Sequence, residues 1–287
     1  MPDWTAIQAA LARDGLDAVP QRRPEPLAGG AFRLETGAGP VFLKLAPRGE
    51  LDRLDGEADG LAALAAAGAL RVPRVLSRGA AGGQAFLALE WLELGPATAA
   101  TERALGRGLA RLHRSTGERF GWHRDNTIGA TPQRNTPEDD WVTFFREHRL
   151  RFQLELAAQN GYRGALQEEG GALLDSLEQR LAGHAPEPSL LHGDLWGGNW
   201  GAVDGEPVVF DPAVHYGDRE CDLAMTRLFG GFGREFYAAY EAAWPLAPGH
   251  EQRVALYQLY HVLNHLNLFG SGYLGRALAL IRSLSRA

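Results

Sequence analysis

The sequence predicts an α+β chain of two unequal lobes, a small antiparallel-sheet lobe at the N-terminus and a larger, mainly helical lobe after it. Three observations carry this. Short apolar runs punctuated by glycine crowd the first 93 residues, and leucine and phenylalanine stripes at helical spacing dominate afterwards. Two short apolar runs then return at 189–192 and 207–210, bracketing a cluster of Asp and Asn. The lobes are placed at 1–93 and 94–287.

Residues 3–13 read as a short helix, because Ile7 and Leu11 share a face and Gly15 sits where a C-terminal cap belongs. Between 26 and 46, Gly29 and Gly30 come early in one apolar run and the 37–40 stretch turns the chain. Val41-Phe42-Leu43-Lys44-Leu45 then forms a half-buried strand, completing a hairpin. Residues 50–70 carry Leu54, Leu61 and Leu64 at helical spacing, and Pro73 breaks that helix. A further strand is expected over 84–92, and Leu94-Gly95-Pro96 is a linker. Leu105, Leu109 and Leu112 stripe one later helix; Phe145, Phe152 and Leu156 stripe another. Residues 116–137 have no period and read as an ordered loop. After the two late strands, helices run from Arg219 onward, and no internal repeat is visible.

With 45% hydrophobic and 22% charged residues in 287, the chain can bury a sizeable core, which argues against disorder and collagen-like repeats. Its 29 Lys and Arg against 35 Asp and Glu leave a formal charge of −6. That balance argues against a nucleic-acid partner, since phosphate neutralisation needs clustered cations, and leaves room for a local basic pocket. Cys221 is the only cysteine, so no internal disulfide framework and no Cys-based zinc site is expected. Met1-Pro2-Asp3-Trp4 lacks the basic start and apolar run of a leader, and the apolar stretches fall short of the ~18 residues of a membrane span. A cytoplasmic protein with no membrane partner is the expectation.

The chemistry lies in Leu190-Leu191-His192-Gly193-Asp194-Leu195-Trp196-Gly197-Gly198-Asn199-Trp200, followed by Val208-Val209-Phe210-Asp211-Pro212. An Asp, an Asn five residues on, and a second Asp ending a short apolar strand form the arrangement of a kinase active site. Phosphoryl transfer from ATP needs Mg²⁺ to neutralise the triphosphate, and Mg²⁺ demands hard oxygen ligands. Asn199 and Asp211 can supply those oxygens, and Asp194 can orient an attacking hydroxyl and accept its proton. Taken singly, each would be a cap or turn residue; their combined spacing between two strand-like runs points to catalysis. Upstream, Lys44 interrupts an apolar run and needs an acidic partner to hold nucleotide phosphates. Glu57 lies 13 residues on, in the expected helix, and Glu50, Asp55 and Asp59 compete with it. Gly29 and Gly30 would form the phosphate-covering loop.

Together with the segments Asp125-Asn126-Thr127-Ile128-Gly129-Ala130-Thr131-Pro132-Gln133-Arg134-Asn135, Asp140-Trp141-Val142 and Phe144-Phe145-Arg146-Glu147-His148-Arg149-Leu150, and the run from Asp211 to Ala224, the catalytic motif resembles the fructosamine kinase (ketosamine-3-kinase) family. That family lies within the aminoglycoside phosphotransferase and protein-kinase-like superfamily, and the resemblance spans essentially the whole chain. It implies a two-lobed protein-kinase-like fold that uses ATP and Mg²⁺ to phosphorylate the 3-hydroxyl of ketosamines. The product then decomposes and releases the amine, a deglycation repair of small-molecule or protein adducts. It further implies Asp194 as base, Asn199 and Asp211 as metal ligands, and Lys44 with Glu57 as the phosphate-positioning pair. Glu90-Trp91-Leu92 falls where the interlobe hinge would offer backbone groups to adenine. Some members carry a glycine-loop cysteine that permits redox-sensitive dimerisation. Here Leu27-Ala28-Gly29-Gly30-Ala31-Phe32 has none, so no dimer bridged through this loop is expected, and the oligomeric state stays open. His215 stands where the resemblance leads one to expect Tyr, and is kept with Trp196 as a candidate substrate contact.

Rival readings are an aminoglycoside- or choline-type hydroxyl phosphotransferase and a non-catalytic ATP-binding scaffold. Presence of Lys44, Asp194, Asn199 and Asp211 together argues against the scaffold. Trp196, and less so Trp200, would stack on a sugar or its amine substituent. Asp222 is expected to brace the catalytic loop. His261 and His265, four apart on a helix, lack a third ligand and read as structural, as does Cys221. For Asn126, Gln133 and Asn135 the sequence leaves ordering of the loop and contact with substrate both open.

Overall fold

The computed structural model describes residues 2–19 and 22–286. In the N-terminal lobe, helix α1 (Trp4–Ala12) precedes strands β1 (Glu25–Pro26), β2 (Ala31–Thr36) and β3 (Gly39–Pro47), helix α2 (Leu51–Ala67), and strands β4 (Val75–Ala81) and β5 (Gln84–Glu90). The five strands form one antiparallel sheet in the order β1-β2-β3-β5-β4. Asp3 caps α1 by accepting from the Ala6 amide, and α1 buries Ile7 and Leu11 against Leu34, Leu43 and Phe86 on one sheet face. The other face packs under α2 through Ala46, Leu87 and Leu89. Strand alternation puts Lys44 on that second face, between Ala31 and Leu87 of its neighbours, so a lone cation inside an apolar strand emerges under α2.

The C-terminal lobe begins with α3 (Ala99–His113), whose Thr98 and Thr101 cap each other reciprocally. There follow β6 (Asn126–Ile128), β7 (Thr131–Gln133), α4 (Trp141–Phe144), a π-helical turn at Phe145–Arg151, α5 (Phe152–Gln159), α6 (Ala165–Asp175) and α7 (Leu177–Arg180). Strands β8 (Ser189–Leu191), β9 (Trp200–Val203), β10 (Glu206–Val209) and β11 (His215–Gly217) lead into α8 (Glu220–Leu228), α9 (Arg234–Ala243), α10 (His250–Phe269) and α11 (Leu274–Arg286). One core belongs to the helical lobe and includes Trp141, Phe144, Leu263 and Ile281. A second crosses between lobes, joining Leu54 and Leu61 of α2 to Leu105 and Leu109 of α3 and to Val209.

Strands β9 and β11 were not expected beside the two late strands, and three further departures have a local cause. The strand at Val75–Ala81 carries Ser77, Arg78 and Gly79 and lies at the sheet edge, where all its positions but Ser77 stay half-buried or exposed, so no apolar run marks it. The loop at 116–137 contains the β6–β7 hairpin, whose strands of three residues each are too short to declare a period. The stripe of Phe145, Phe152 and Leu156 is not one face, because the π turn inserts a residue. Beyond it Leu154 and Ala157 take the core positions while Phe152 and Leu156 slip outward.

Candidate active site

Between the lobes lies a cavity of 220 Å³ whose walls include Lys44, Glu57, Asp194, Trp196, Asn199 and Asp211. Lys44 arrives from β3 and meets Glu57 of α2, Nζ to Oε1, at 2.7 Å; the same ammonium reaches Asp211 Oδ1 at 2.7 Å. Burial works against the charged ammonium, but the two carboxylates outweigh it and hold Lys44 above its ordinary pKa. The acids that compete with Glu57, on or just before α2, are spent elsewhere. Glu50 pairs with Arg53 and Asp55 with Arg78, while Asp59 accepts from Trp122 Nε1 at 2.8 Å.

The catalytic loop is held from below by Asp222, the first-turn acid of α8. Its carboxylate accepts from the His192 and Gly193 amides at 2.8 and 2.9 Å, and lies 3.1 Å from His113 Nε2. Gly193 is obligatory: its φ is +82°, and a Cβ there would stand 2.0 Å from the Ala213 carbonyl oxygen. Asn199 donates from Nδ2 to the Asp194 carbonyl at 2.9 Å and weakly to Asp194 Oδ2 at 3.3 Å. Burial, with the nearby Asp211 and Asp222 charges, pushes the Asp194 carboxyl up to about 7. Asp211 adopts φ +56°, the left-handed region that Asp tolerates better than most residues. Asn199 Oδ1 accepts no hydrogen bond among the described residues, so it and the half-exposed Asp211 carboxylate offer hard oxygens to one cavity. That donor chemistry fits a divalent cation of the Mg²⁺ type.

A second, more apolar cleft of 390 Å³ adjoins, lined by Phe42, Leu89, Glu90, Trp91, Leu92 and Phe210 among others. Its largely apolar, partly aromatic lining suits a planar base. The Glu90 carboxylate is engaged by neighbouring arginines, accepting from Arg71 Nη2 at 2.9 Å and from the Arg74 backbone amide at 3.2 Å. Gly29 and Gly30 lie in an exposed turn before β2, with φ of +68° and +78°, where Gly30 approaches the Leu45 carbonyl beside Lys44. Trp196 stands 41% exposed at the cavity mouth.

His215 is not brought to this cavity. Its ring is buried, 6.0 Å from Phe144, with Nδ1 at 3.1 Å from the Ala213 carbonyl. Burial beside Arg149 holds it well below its ordinary pKa, and it is corrected here to a packing residue. Sequence reasoning missed Arg53, Thr127 and Gly129 in the cavity wall, and Asn126, for which both loop ordering and substrate contact were open, also lines it. Arg53 had a readable signal, since it lies four residues before Glu57 on one helical face.

A family model described as Fructosamine kinase matches residues 3–287. The chain belongs to the fructosamine kinase family. It is 45% identical over 258 residues to a Synechocystis protein named "Probable ketoamine kinase", covering 89% of this chain and 86% of that one. It is 43% identical over 251 residues to the chloroplastic protein-ribulosamine 3-kinase of Oryza sativa subsp. indica, covering 86% and 73%. The crystal structure of a "Putative fructosamine-3-kinase" from Haemophilus somnus superposes with a TM-score of 0.90 at 30% identity, over 98% of this chain and 97% of the other. The choline kinase LicA of Streptococcus pneumoniae, at 16% identity and TM-score 0.63 over 93% and 94%, shares the protein-kinase-like fold. As a member of this family, the protein is an ATP-dependent phosphotransferase with an alcohol acceptor.

Proposed function

We propose that this protein transfers the γ-phosphate of ATP to the 3-hydroxyl of a ketosamine, a fructosamine or ribulosamine adduct of an amine, in deglycation repair. The observation that supports it is the convergence of Lys44, Asp194, Asn199 and Asp211 on one cavity between the lobes, beside an apolar cleft. The lobe boundary falls at 93/94. Adenine sits against the hinge backbone at Glu90, Trp91 and Leu92, and Gly29 with Gly30 covers the phosphates. Lys44, oriented by Glu57, holds the α- and β-phosphates. Asn199 and Asp211 would hold Mg²⁺, which when bound offsets the charge of the triphosphate.

Asp194 orients the acceptor hydroxyl and takes its proton; a pKa near 7 suits that task, because the base is then matched to neutral conditions. Lys44 and Arg53 supply fixed positive charge against the negative charge of the phosphoryl oxygens in the transition state. Trp196 offers its face to the sugar or its amine substituent. With phosphate at C3, loss of a C1 proton gives the 1,2-enaminol, which expels inorganic phosphate from C3, and hydrolysis of the resulting imine by water frees the amine and a 3-deoxy dicarbonyl sugar.

The test is phosphorus NMR of products formed from ATP, Mg²⁺ and, in parallel, fructoselysine, ribuloselysine and an aminoglycoside. A new phosphomonoester at C3 of the glycated lysines is the expected result. Turnover of the aminoglycoside alone overturns the acceptor, and no product from any of them overturns the catalytic assignment.

A further inference from the structure

The two carbonyls that follow Asp211-Pro212 are gripped by amides of the β6–β7 hairpin. Asn126 donates from Nδ2 to the Val214 carbonyl at 2.8 Å, and Gln133 from Nε2 to the Ala213 carbonyl at 3.1 Å. Both amides are fixed from behind. Asn126 Oδ1 accepts from Gln133 Nε2 and Asn135 Nδ2, each at 2.9 Å, and Gln133 Oε1 accepts from the Tyr260 hydroxyl at 2.7 Å. Asn135 Oδ1 in turn accepts from Arg149 Nη2 at 2.7 Å.

Arg149 is 1% exposed and has no carboxylate partner among the described residues. Its guanidinium instead donates to the Arg134 and His148 carbonyls and lies 4.5 Å over the Phe144 ring. Burying a cation this way is costly, and two strands of three residues do not need it to turn the chain. A connected polar network does gain rigidity, and the backbone it grips leads directly from Asp211, a non-glycine residue at φ +56°. Asn126 also reaches the other lobe. It lines the 220 Å³ cavity and packs against Gly56, where a Cβ would stand 3.3 Å from the Asn126 Cβ, next to Glu57.

We propose that Asn126 and Gln133 are positioning residues that set the Asp211 carboxylate for metal binding, with Arg149 and Tyr260 as their rigid backing. This rests on reading Asp211 as a metal ligand, but not on the identity of the acceptor. Neutral substitutions avoid any direct charge effect on a cation, so the variants are Asn126→Ala, Gln133→Met and the milder Tyr260→Phe. The measurement is Mn²⁺ binding in the presence of ADP, followed by electron paramagnetic resonance, alongside metal-free ADP binding and thermal melts.

The expected result is a Mn²⁺ dissociation constant raised at least tenfold in the first two variants and about threefold in Tyr260→Phe. Metal-free ADP affinity should change less than twofold. Leu284→Ala, on α11 and outside this hydrogen-bond network, should lower the melting temperature while leaving Mn²⁺ affinity unchanged. If Asn126→Ala or Gln133→Met does not fold, Tyr260→Phe decides the matter. Wild-type Mn²⁺ affinity in the folded variants overturns the positioning role. Absence of any ADP-dependent Mn²⁺ site in the wild-type protein instead overturns the assignment of Asp211 itself, and this inference with it.

Discussion

The mouth and the root of the catalytic loop each hold an aspartate, and their environments drive them in opposite directions. At the mouth, Asp194 receives one weak side-chain donor, from Asn199 at 3.3 Å, and faces the charge of Asp211; burial and that neighbour push it up to about 7. At the root, burial would also raise Asp222, but the bonds from His113 and the loop amides overcome it and hold the carboxyl below its ordinary value. Burial raises both carboxyls, so burial alone does not separate them. The donors and neighbouring charges do, and the loop spends its donors on the aspartate that anchors rather than the one that reacts.

Asp194→Asn tests this at the mouth. Turnover should fall about 10³-fold, within the range a positioned base contributes, while the melting temperature holds or rises because a poorly solvated charge is gone. Single-turnover kinetics and thermal melts check both. At the root, Asp222→Ala should show the reverse emphasis. Two loop amides and His113 lose their acceptor, a break in a buried charged network that costs about 3–5 kcal/mol in urea denaturation. A stable, fully folded Asp222→Ala protein would erase the distinction.

How far the sequence disclosed these two regions differs for a physical reason. Asp194, Asn199 and Asp211 were legible because their spacing between two short strands is fixed by the chemistry, and Lys44 because an ammonium in an apolar strand demands a partner. Which acid supplied that partner was not legible. Glu50, Asp55, Glu57 and Asp59 all sit on or beside one helix, and only the lobe packing turns Glu57 inward while Asp59 meets Trp122. The hairpin at 126–133 was unreadable for a related reason: its order comes from side-chain amides gripping a distant backbone, which leaves no periodicity. His215 failed because an aromatic-like position beside the motif suggested contact, while strand pairing of β11 with β8 turns its ring into the core.

A smaller effect sharpens the same contrast through pH. Asp194 ionises near 7 when folded but near ~4 when unfolded. Between those values the unfolded chain gives up the proton first, so this residue's contribution to stability declines as pH rises, by at most about 1.4 kcal/mol per unit. Asp222 runs the other way: its stabilisation is present above the ordinary carboxylate range and lost as pH falls through its depressed folded value. Buried His192, His215 and His261, the last held down to about 3, also withdraw stability below ~6.5, where the unfolded chain protonates them. Subtracting wild type from Asp194→Asn cancels the shared groups. In metal-free protein the variant's advantage should widen between pH 4.5 and 7, measured as the shift in urea midpoint; a constant difference would mean that Asp194 titrates normally.

The two tryptophans of the loop repeat the division on apolar ground. Trp200 is secured at the root, 5.7 Å from Phe232 and nearly parallel to it, with Nε1 donating to the Gly231 carbonyl at 3.2 Å. Trp196 stands 41% exposed at the cavity mouth and, among the described residues, stacks on no aromatic ring. Because Trp196 lines the cavity, its exposed face can stack on an acceptor bound there. Trp196→Ala should therefore raise the acceptor KM by about five- to tenfold, the ~1 kcal/mol of one stacking contact, with kcat and melting temperature nearly unchanged. Trp200→Ala should do the opposite, losing about 1–2 kcal/mol of stability with the acceptor KM intact. Matching effects on KM and stability from both would mean that Trp196 is ordinary packing and that the mouth ends at Asp194.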